Sequence, residues 1–190
     1  MKIFYGTENL PRFRHAVVAV GSFDGVHLGH RQILATLKDA AAKQGGESVV
    51  VTFHPHPQLV LHPERDFQPI YTPEENAQLI AKEGIDNLIL VEFTPQFSQL
   101  SPEAFVEFLS QKIGAQAIVM GPNHNFGKDR GGNSTTMREI CAKYSMEIIQ
   151  IPEFVMEENR VRSSQIRKHI LNKEFTEAEK LLGHPLKKNR

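Results

Sequence analysis

Two histidines three residues apart, His27 and His30, stand just after an apolar run, where a strand is predicted to turn into a helix. Residues three apart in a helix lie on one face, so both imidazoles would reach the same ligand. Gly21 and Gly25 allow positive φ angles, which lets backbone N–H groups approach an anion, and a helix that begins near Gly29 adds its positive dipole end. The pattern predicts a site for nucleotide phosphates.

The same two histidines could instead supply imidazole ligands to a metal ion. A zinc site needs further ligands, and the obvious neighbour in the sequence is Asp24, while Cys141 is the single cysteine. We therefore assign no metal ligand to the protein itself.

A second group of residues follows the next predicted strand and reads VTFHPHP. Phe53 offers a flat apolar face beside His54 and His56, and Pro55 and Pro57 stiffen the chain. Because proline cannot continue a central strand, we predict a rigid loop at the edge of the sheet. Such a loop suits a planar ring system, and a plain structured turn is the alternative.

A third group lies at residues 120–133 and mixes glycine, amide and cationic side chains. Lys128 and Arg130 could clamp phosphate oxygens, and Asn123 could bind a ligand oxygen without carrying charge. A solvated charged loop is the alternative.

A fourth group, RVRSSQIR, opens a predicted helix near the C-terminus. Ser163 or Ser164 is predicted to cap this helix, and Arg167 carries a forked cation that matches anionic oxygens. This group alone is a weak indication of a binding site, and it supports one only together with the three other groups.

Composition narrows the classes of partner. The chain has 190 residues, of which 40% are hydrophobic and 23% charged, as in ordinary globular domains. Lys plus Arg and Asp plus Glu number 22 each, so no net field recruits nucleic acid or an anionic membrane. No apolar run approaches the roughly 20 residues that span a bilayer, and the N-terminus lacks the regions of a signal peptide. We expect a cytoplasmic protein that binds neither nucleic acid nor membranes.

The elements that must position these groups alternate between strand and helix. Apolar runs predict strands at 16–21, 48–52, 87–91, 117–121 and 147–151, and amphipathic segments predict helices at 29–43, 73–83, 102–113, 133–144, 163–171 and 176–183. This alternation predicts an α/β fold, a doubly wound five-stranded parallel sheet with C-terminal helices. Ligands of such sheets bind beyond the carboxyl ends of the strands.

Four motifs in this order and spacing carry a resemblance to a known family: GSFDGVHLGH, VTFHPHP, FGKDRGGN and VRSSQIR. Together they resemble the FAD synthetase module of bacterial bifunctional riboflavin kinase/FMN adenylyltransferases. The H-x-G-H signature is shared across the nucleotidyltransferase superfamily, and the F-x-P-H-P loop points to flavin. The resemblance implies a Rossmann-like nucleotidyltransferase fold and transfer of AMP from ATP to FMN, giving FAD and pyrophosphate with Mg²⁺.

The resemblance also implies roles for individual residues. The histidines would donate to ATP phosphate oxygens, and Ser164 with Arg167 would bind the leaving pyrophosphate, so the catalytic set is His27, His30, Ser164 and Arg167. Adenine is expected over the glycine turn, and the ATP-binding set is Gly21, Ser22, Phe23, Asp24, Gly25, His27, His30, Ser163, Ser164 and Arg167. The FMN-binding set is Phe53, Pro55, His56, Pro57, Asn123 and Phe126.

Two positions depart from the family pattern: Asn125 removes a possible cation, and Arg162 replaces a serine. They keep open an inactive or regulatory homologue that binds flavin or nucleotide. A second alternative is adenylylation of another phosphate, such as phosphopantetheine or nicotinamide mononucleotide.

The resemblance also predicts the domain organisation. Residues 1–186 form the adenylyltransferase domain with its C-terminal helices, and residues 187–190 form a tail. Bifunctional members continue past the L-L-G-x-P segment into a riboflavin kinase barrel, which this chain lacks. We therefore expect no riboflavin kinase activity, and the sequence makes no prediction of oligomeric state.

Overall fold

A parallel sheet of six strands forms the centre of the protein. The computed structural model describes residues 1–121, 134–152, 155–156 and 159–187. The strands are β1 Lys2–Tyr5, β2 Ala16–Val20, β3 Ser48–His54, β4 Asn87–Glu92, β5 Ala115–Met120 and β6 Glu147–Gln150. They lie in the order β1-β4-β3-β2-β5-β6, and every neighbouring pair is parallel. The predicted α/β fold with a doubly wound sheet is confirmed, with six strands instead of five.

Eight α-helices connect and follow the strands in the described parts of the chain. They are α1 Leu28–Lys43, α2 Pro57–Leu61, α3 Pro73–Lys82, α4 Pro95–Ser98, α5 Pro102–Phe108, α6 Ser134–Lys143, α7 Ser163–Leu171 and α8 Phe175–Leu182. A π-helical turn, Leu109–Ile113, continues α5, and Val155–Met156 (β7) pairs antiparallel with Asn159–Arg160 (β8). In these described segments, no helix combines the length and the apolar character needed to cross a bilayer.

The central strands of the sheet are buried on both sides, so apolar side chains form a packed layer on each face. Helices α1 and α3 cover one face, where Leu34, Leu37 and Ile80 pack against the strands. Helices α5 and α6 cover the other face, where Phe105 and Met137 pack. A third apolar cluster docks the α7–α8 pair and consists of Ile70, Tyr71, Val161, Ile166, Ala178, Leu181 and Leu182.

The direction of the chain across the sheet reverses between β2 and β5. From β2 the chain moves outward to β3 and β4, and then returns to place β5 on the other side of β2. Ligands of doubly wound sheets bind beyond the carboxyl ends of the strands near such a point. Gly21 follows β2 directly and Gly121 follows β5, as predicted.

Two segments differ from their predictions. Strand β1 was not predicted, because its four residues lie at the sheet edge, are largely exposed and contain an apolar run of only three residues. Strand β3 continues to His54, two residues further than predicted, so the rigid loop expected after it is shorter. The chain there consists of the strand end, a cis His54–Pro55 peptide bond and the short helix α2, which begins at Pro57.

Candidate active site

A cavity of about 1030 Å³ opens at the carboxyl edge of the sheet. The ends of the strands contribute Ser22, Phe53 and His56 to its wall, and α7 contributes Ser164 and Arg167. Its volume lies at the upper end of the range for small-molecule sites. One cavity is therefore lined by residues from both the predicted FMN-binding set and the predicted ATP-binding set.

The Asp24 side chain joins three parts of this cavity wall. It is 1% exposed, and both its carboxylate oxygens accept the Ile70 N–H at 2.9 Å, while one accepts the Tyr71 N–H at 3.1 Å. Arg167 donates from Nη1 to the carboxylate at 2.8 Å, and the Ser163 hydroxyl donates to the Asp24 carbonyl at 3.1 Å. Asp24 thus connects the β2–α1 turn with the segment before α3 and with helix α7.

The glycine turn is held by bonds within the protein. Gly25 has φ +84°, and a Cβ there would lie 2.9 Å from a methyl carbon of Ile70, so a residue other than glycine would be strained at this position. Its N–H donates to the Asn76 side chain at 3.0 Å, and the Gly21 N–H donates to the Val51 carbonyl at 3.1 Å. Both amides therefore already have acceptors within the protein, and the role of the glycine turn in binding phosphates remains a prediction.

The two histidines at the start of α1 lie together, as their spacing predicts, and their rings also stack, with His27 at the N-cap and His30 in the first turn. Their ring centroids lie 3.6 Å apart with an interplanar angle of 15°. Burial lowers the pKa of His27 to about 4, and the charge of Arg167 acts in the same direction, so the ring is neutral at pH 7. Nδ1 of His27 accepts the His30 backbone N–H at 3.2 Å. The proton therefore sits on Nε2, which is available as a donor.

His56 repeats this arrangement at the start of α2. Its Nδ1 accepts the Gln58 backbone N–H at 3.1 Å, and burial lowers its pKa to about 4, although the charge of Asp24 opposes this. His56 is therefore also a neutral ring with its proton on Nε2. Its ring stacks on Phe67 with centroids 4.5 Å apart.

Phe67 was not predicted as part of the site. The guanidinium carbon of Arg167 lies 4.6 Å from its ring centroid, within the range of a cation–π interaction. Burial lowers the pKa of Arg167, and the nearby Asp24 carboxylate opposes that change. Phe67 stands alone between polar residues and proline, so no periodic pattern in the sequence marks it.

The predicted site residues divide by position. Those that line the cavity are Ser22, Asp24, Phe53, His56, Ser164 and Arg167. The predicted residues outside its lining are Gly21, Phe23, Gly25, His27, His30, Pro55, Pro57 and Ser163. Phe23 is 1% exposed and packs in the core, so its ring offers little surface to an adenine. Asn123, Asn125, Phe126, Lys128 and Arg130 lie outside the described residues.

The predicted serine cap of α7 is absent in the structure. The N-cap position belongs to Arg162, whose side chain is exposed and makes no capping hydrogen bond. Ser163 is the first residue of the helix and uses its hydroxyl for the Asp24 carbonyl instead. Ser164 is exposed and reaches the cavity.

Phe53 joins the cavity to a group of aromatic rings. Its ring centroid lies 5.3 Å from that of Phe93 and 5.7 Å from that of Phe97. Such edge and tilted contacts stabilise aromatic pairs beyond their burial. The ring that borders the cavity is thus fixed from behind by the segment after β4.

Among the described residues, no group of three or more His, Cys, Asp or Glu side chains could hold a metal ion. The carboxylate of Asp24, the acid closest in sequence to the two histidines, is already occupied by backbone N–H groups and Arg167. These contacts leave Asp24 poorly suited to bind a cation.

The neutral histidines predict a pH dependence of stability. An unfolded histidine has a pKa of about 6.5, so between pH 6.5 and 4 the unfolded chain binds more protons than the folded protein. The contribution of His27 is fully present above pH 6.5, and we expect it to fall by about 1 to 2 kcal/mol by pH 5. Urea unfolding at pH 7, 6 and 5 measures this change.

The matched variant for this measurement is His27→Asn, which keeps an N-cap acceptor and removes the titrating ring. Its free energy of unfolding should fall less steeply with pH than that of the wild type. Equal slopes would contradict the assignment of a buried neutral ring.

Comparison with known proteins identifies a family, several relatives and a solved structure of similar fold. Residues 10–165 match the family model described as FAD synthetase. A bifunctional riboflavin kinase/FMN adenylyltransferase of Listeria monocytogenes is 37% identical over 173 residues, covering 89% of this chain and 54% of the relative. An FAD synthetase of the same organism is 34% identical, covering 90% of this chain and 70% of the relative. A crystal structure named as a macrolide-efflux protein from Streptococcus pneumoniae has TM-score 0.85 and 30% identity, covering 98% of this chain and 72% of that chain.

The chain spans about half the length of the bifunctional relative, so its similarity concerns one module of that protein. The family model covers most of the chain, from before β2 to the first turn of α7. It includes the glycine turn, both histidines, the F-x-P-H-P segment and Ser163. The resemblance drawn from the four motifs is thereby confirmed, and the chain belongs to the FAD synthetase family.

Proposed function

We propose that this chain transfers the adenylyl group of ATP to FMN and releases FAD and pyrophosphate. The observation that carries the proposal is the shared cavity. Phe53 and His56, from the predicted FMN set, and Ser164 and Arg167, from the predicted ATP set, line the same space. Membership of the FAD synthetase family supports this assignment.

The reaction needs no general base. The nucleophile is a phosphate oxygen of FMN, and a phosphate monoester with a second pKa near 6 is largely dianionic at pH 7. This oxygen forms a bond to the α-phosphorus of ATP, and the bond from that phosphorus to the bridging oxygen breaks as pyrophosphate leaves. The task of the protein is to bring two anions together and to stabilise the charge that develops.

The chain provides three kinds of group for this task. Neutral His27 offers an Nε2–H donor, and the stacked ring of His30 lies beside it at the start of α1. Arg167 contributes a cation and Ser164 a hydroxyl at the cavity wall. These groups suit the α-phosphate oxygens and the leaving pyrophosphate.

Mg²⁺ would enter with ATP and offset the charge of the phosphates. The contacts already made by Asp24 argue against that residue as its ligand. We therefore expect the ion to be held mainly by the nucleotide. On the acceptor side, the flat ring of Phe53 and the neutral imidazole of His56 offer surfaces for the isoalloxazine.

The test is incubation of the purified chain with ATP, Mg²⁺ and either FMN or riboflavin, with chromatography of the flavins and an assay of pyrophosphate. We expect FAD and pyrophosphate from FMN only, because riboflavin lacks the phosphate that attacks. Phosphopantetheine and nicotinamide mononucleotide at equal concentration should give no adenylylated product. Flavin binding without pyrophosphate release would instead support a regulatory homologue, and preference for another acceptor would overturn the choice of FMN.

A further inference from the structure

The segment between α2 and α3 borders the cavity and carries one partly buried ring. Residues 63–66 and 68 are exposed, whereas Phe67 among them is partly buried. Asp66, Phe67 and Gln68 all contribute to the cavity wall. Phe67 is therefore the side chain by which this exposed stretch is attached to the site.

The Phe67 ring contacts one residue from each predicted substrate set. On the flavin side it stacks on His56, with centroids 4.5 Å apart and planes at 29°. On the nucleotide side the guanidinium carbon of Arg167 lies 4.6 Å from its centroid. The imidazole of His56 is neutral at pH 7, so it does not repel the guanidinium that contacts the same ring.

Asp24 fixes the position of this arrangement on the nucleotide side. It holds Arg167 through an ion pair of 2.8 Å and also accepts the N–H of Ile70, which lies in the same segment three residues after Phe67. The cation and the backbone beyond the ring are thus held by the same carboxylate. The His56 side of the ring is held by the short helix α2, where His56 accepts the Gln58 N–H.

We propose that Phe67 is the positioning residue through which the binding of FMN and the binding of ATP favour each other. This inference rests on the proposed function. Ordering an exposed segment costs conformational entropy. A ligand that fixes either His56 or Arg167 also orders Phe67, so the first ligand bears this entropy loss for both ligands. The second ligand then binds an already ordered site, and linkage requires the same factor in either order of addition.

The experiment measures a complete binding cycle. FMN fluorescence gives its dissociation constant with and without saturating α,β-methylene ATP and Mg²⁺, an analogue whose α–β bridge is not cleaved. The analogue's dissociation constant is measured with and without FMN by calorimetry. For the wild type we expect each ligand to tighten the other at least about fivefold, by equal factors.

Phe67→Ala should lower this factor to near one. Phe67→Tyr keeps the ring and should retain the wild-type factor. Phe175→Ala, which removes a partly exposed ring from α8 outside the cavity lining, is the control and should also retain it. A general loss of stability would weaken both affinities and leave their ratio unchanged, so the factor separates coupling from a merely structural role.

The possible failures are distinguishable. If the wild type forms FAD but shows a coupling factor of one, the inference fails and the proposed function stands. If Phe67→Ala keeps the wild-type factor, the coupling does not pass through this ring, and the inference fails in the same way. If the wild type binds neither FMN nor the nucleotide and forms no FAD, the proposed function fails and the inference with it.

Discussion

Replacement of His30 by alanine is expected to lower kcat at least about a hundredfold, the loss found when one donor to a developing negative charge is removed. The His30 ring stacks on His27 at 3.6 Å and contacts the buried Phe23 at 5.1 Å, so its position is fixed before a substrate arrives. A fixed donor needs no reorganisation as charge develops on the phosphate, which is the source of its effect. Steady-state FAD formation with saturating ATP and FMN measures the change.

FMN binding should be largely unaffected by this substitution, because His30 belongs to the predicted ATP-binding set and lies outside the cavity lining to which Phe53 and His56 contribute. His15→Asn is a suitable control, since His15 precedes β2 and lies at the end of that strand away from the glycine turn. Asparagine also tolerates the positive φ of 42° at that position. Near-normal turnover of His30→Ala would remove His30 from the chemistry.

Much of the fold could be predicted because its signals are local. Thr72, Pro73 and Glu75 predict a helix start from sequence alone, and the structure contains the complete capping box. Strands β2 to β5 are short apolar runs, which is the pattern of a strand buried on both faces. The edge strand β1 is largely exposed and lacks that pattern. Its place in the sheet depends on pairing with β4, a partner more than 80 residues away.

The site could be predicted only where its geometry is local. A spacing of three residues predicts that His27 and His30 lie together at the start of α1, but it does not predict that their rings stack with His27 at the N-cap. The contacts of Asp24 reach Ile70, 46 residues away, and Arg167, 143 residues away, and no local pattern encodes them. The contacts of Phe67 with His56 and Arg167 depend on the same tertiary arrangement.

The serine cap of α7 failed as a prediction for a related reason. A serine at a helix start usually accepts a backbone N–H, but Ser163 lies beside the Asp24 carbonyl and donates to it instead. The partner of this hydroxyl is thus the Asp24 carbonyl, a tertiary contact, and not a backbone N–H of its own helix. Six of the residues predicted from the sequence line the cavity, and the bonds that connect them could not be predicted.

Replacement of Asp24 is expected to have the largest effect on stability. Asp24→Asn leaves the Arg167 guanidinium without its counter-ion and turns an amide N–H₂ toward groups that are themselves donors. Removing one partner of a buried ion pair typically costs 3–5 kcal/mol, and because Arg167 is 20% exposed we expect about 3 kcal/mol here. Urea unfolding measures this loss, and turnover should also fall because Arg167 is no longer held.

A double-mutant cycle separates the stability of this pair from its function. Arg167→Gln alone should also destabilise the protein, since it leaves a buried carboxylate unpaired, whereas the double variant Asp24→Asn/Arg167→Gln contains no unpaired charge. We therefore expect the double variant to be more stable than the sum of the single losses predicts, by about 2 kcal/mol, but to remain as inactive as Arg167→Gln. Lys143→Gln breaks an exposed pair of 3.0 Å with Glu103 and should leave the free energy of unfolding close to that of the wild type. Additive losses in the cycle would show that the two charges are not coupled, and recovery of turnover in the double variant would show that the reaction does not need the cation of Arg167.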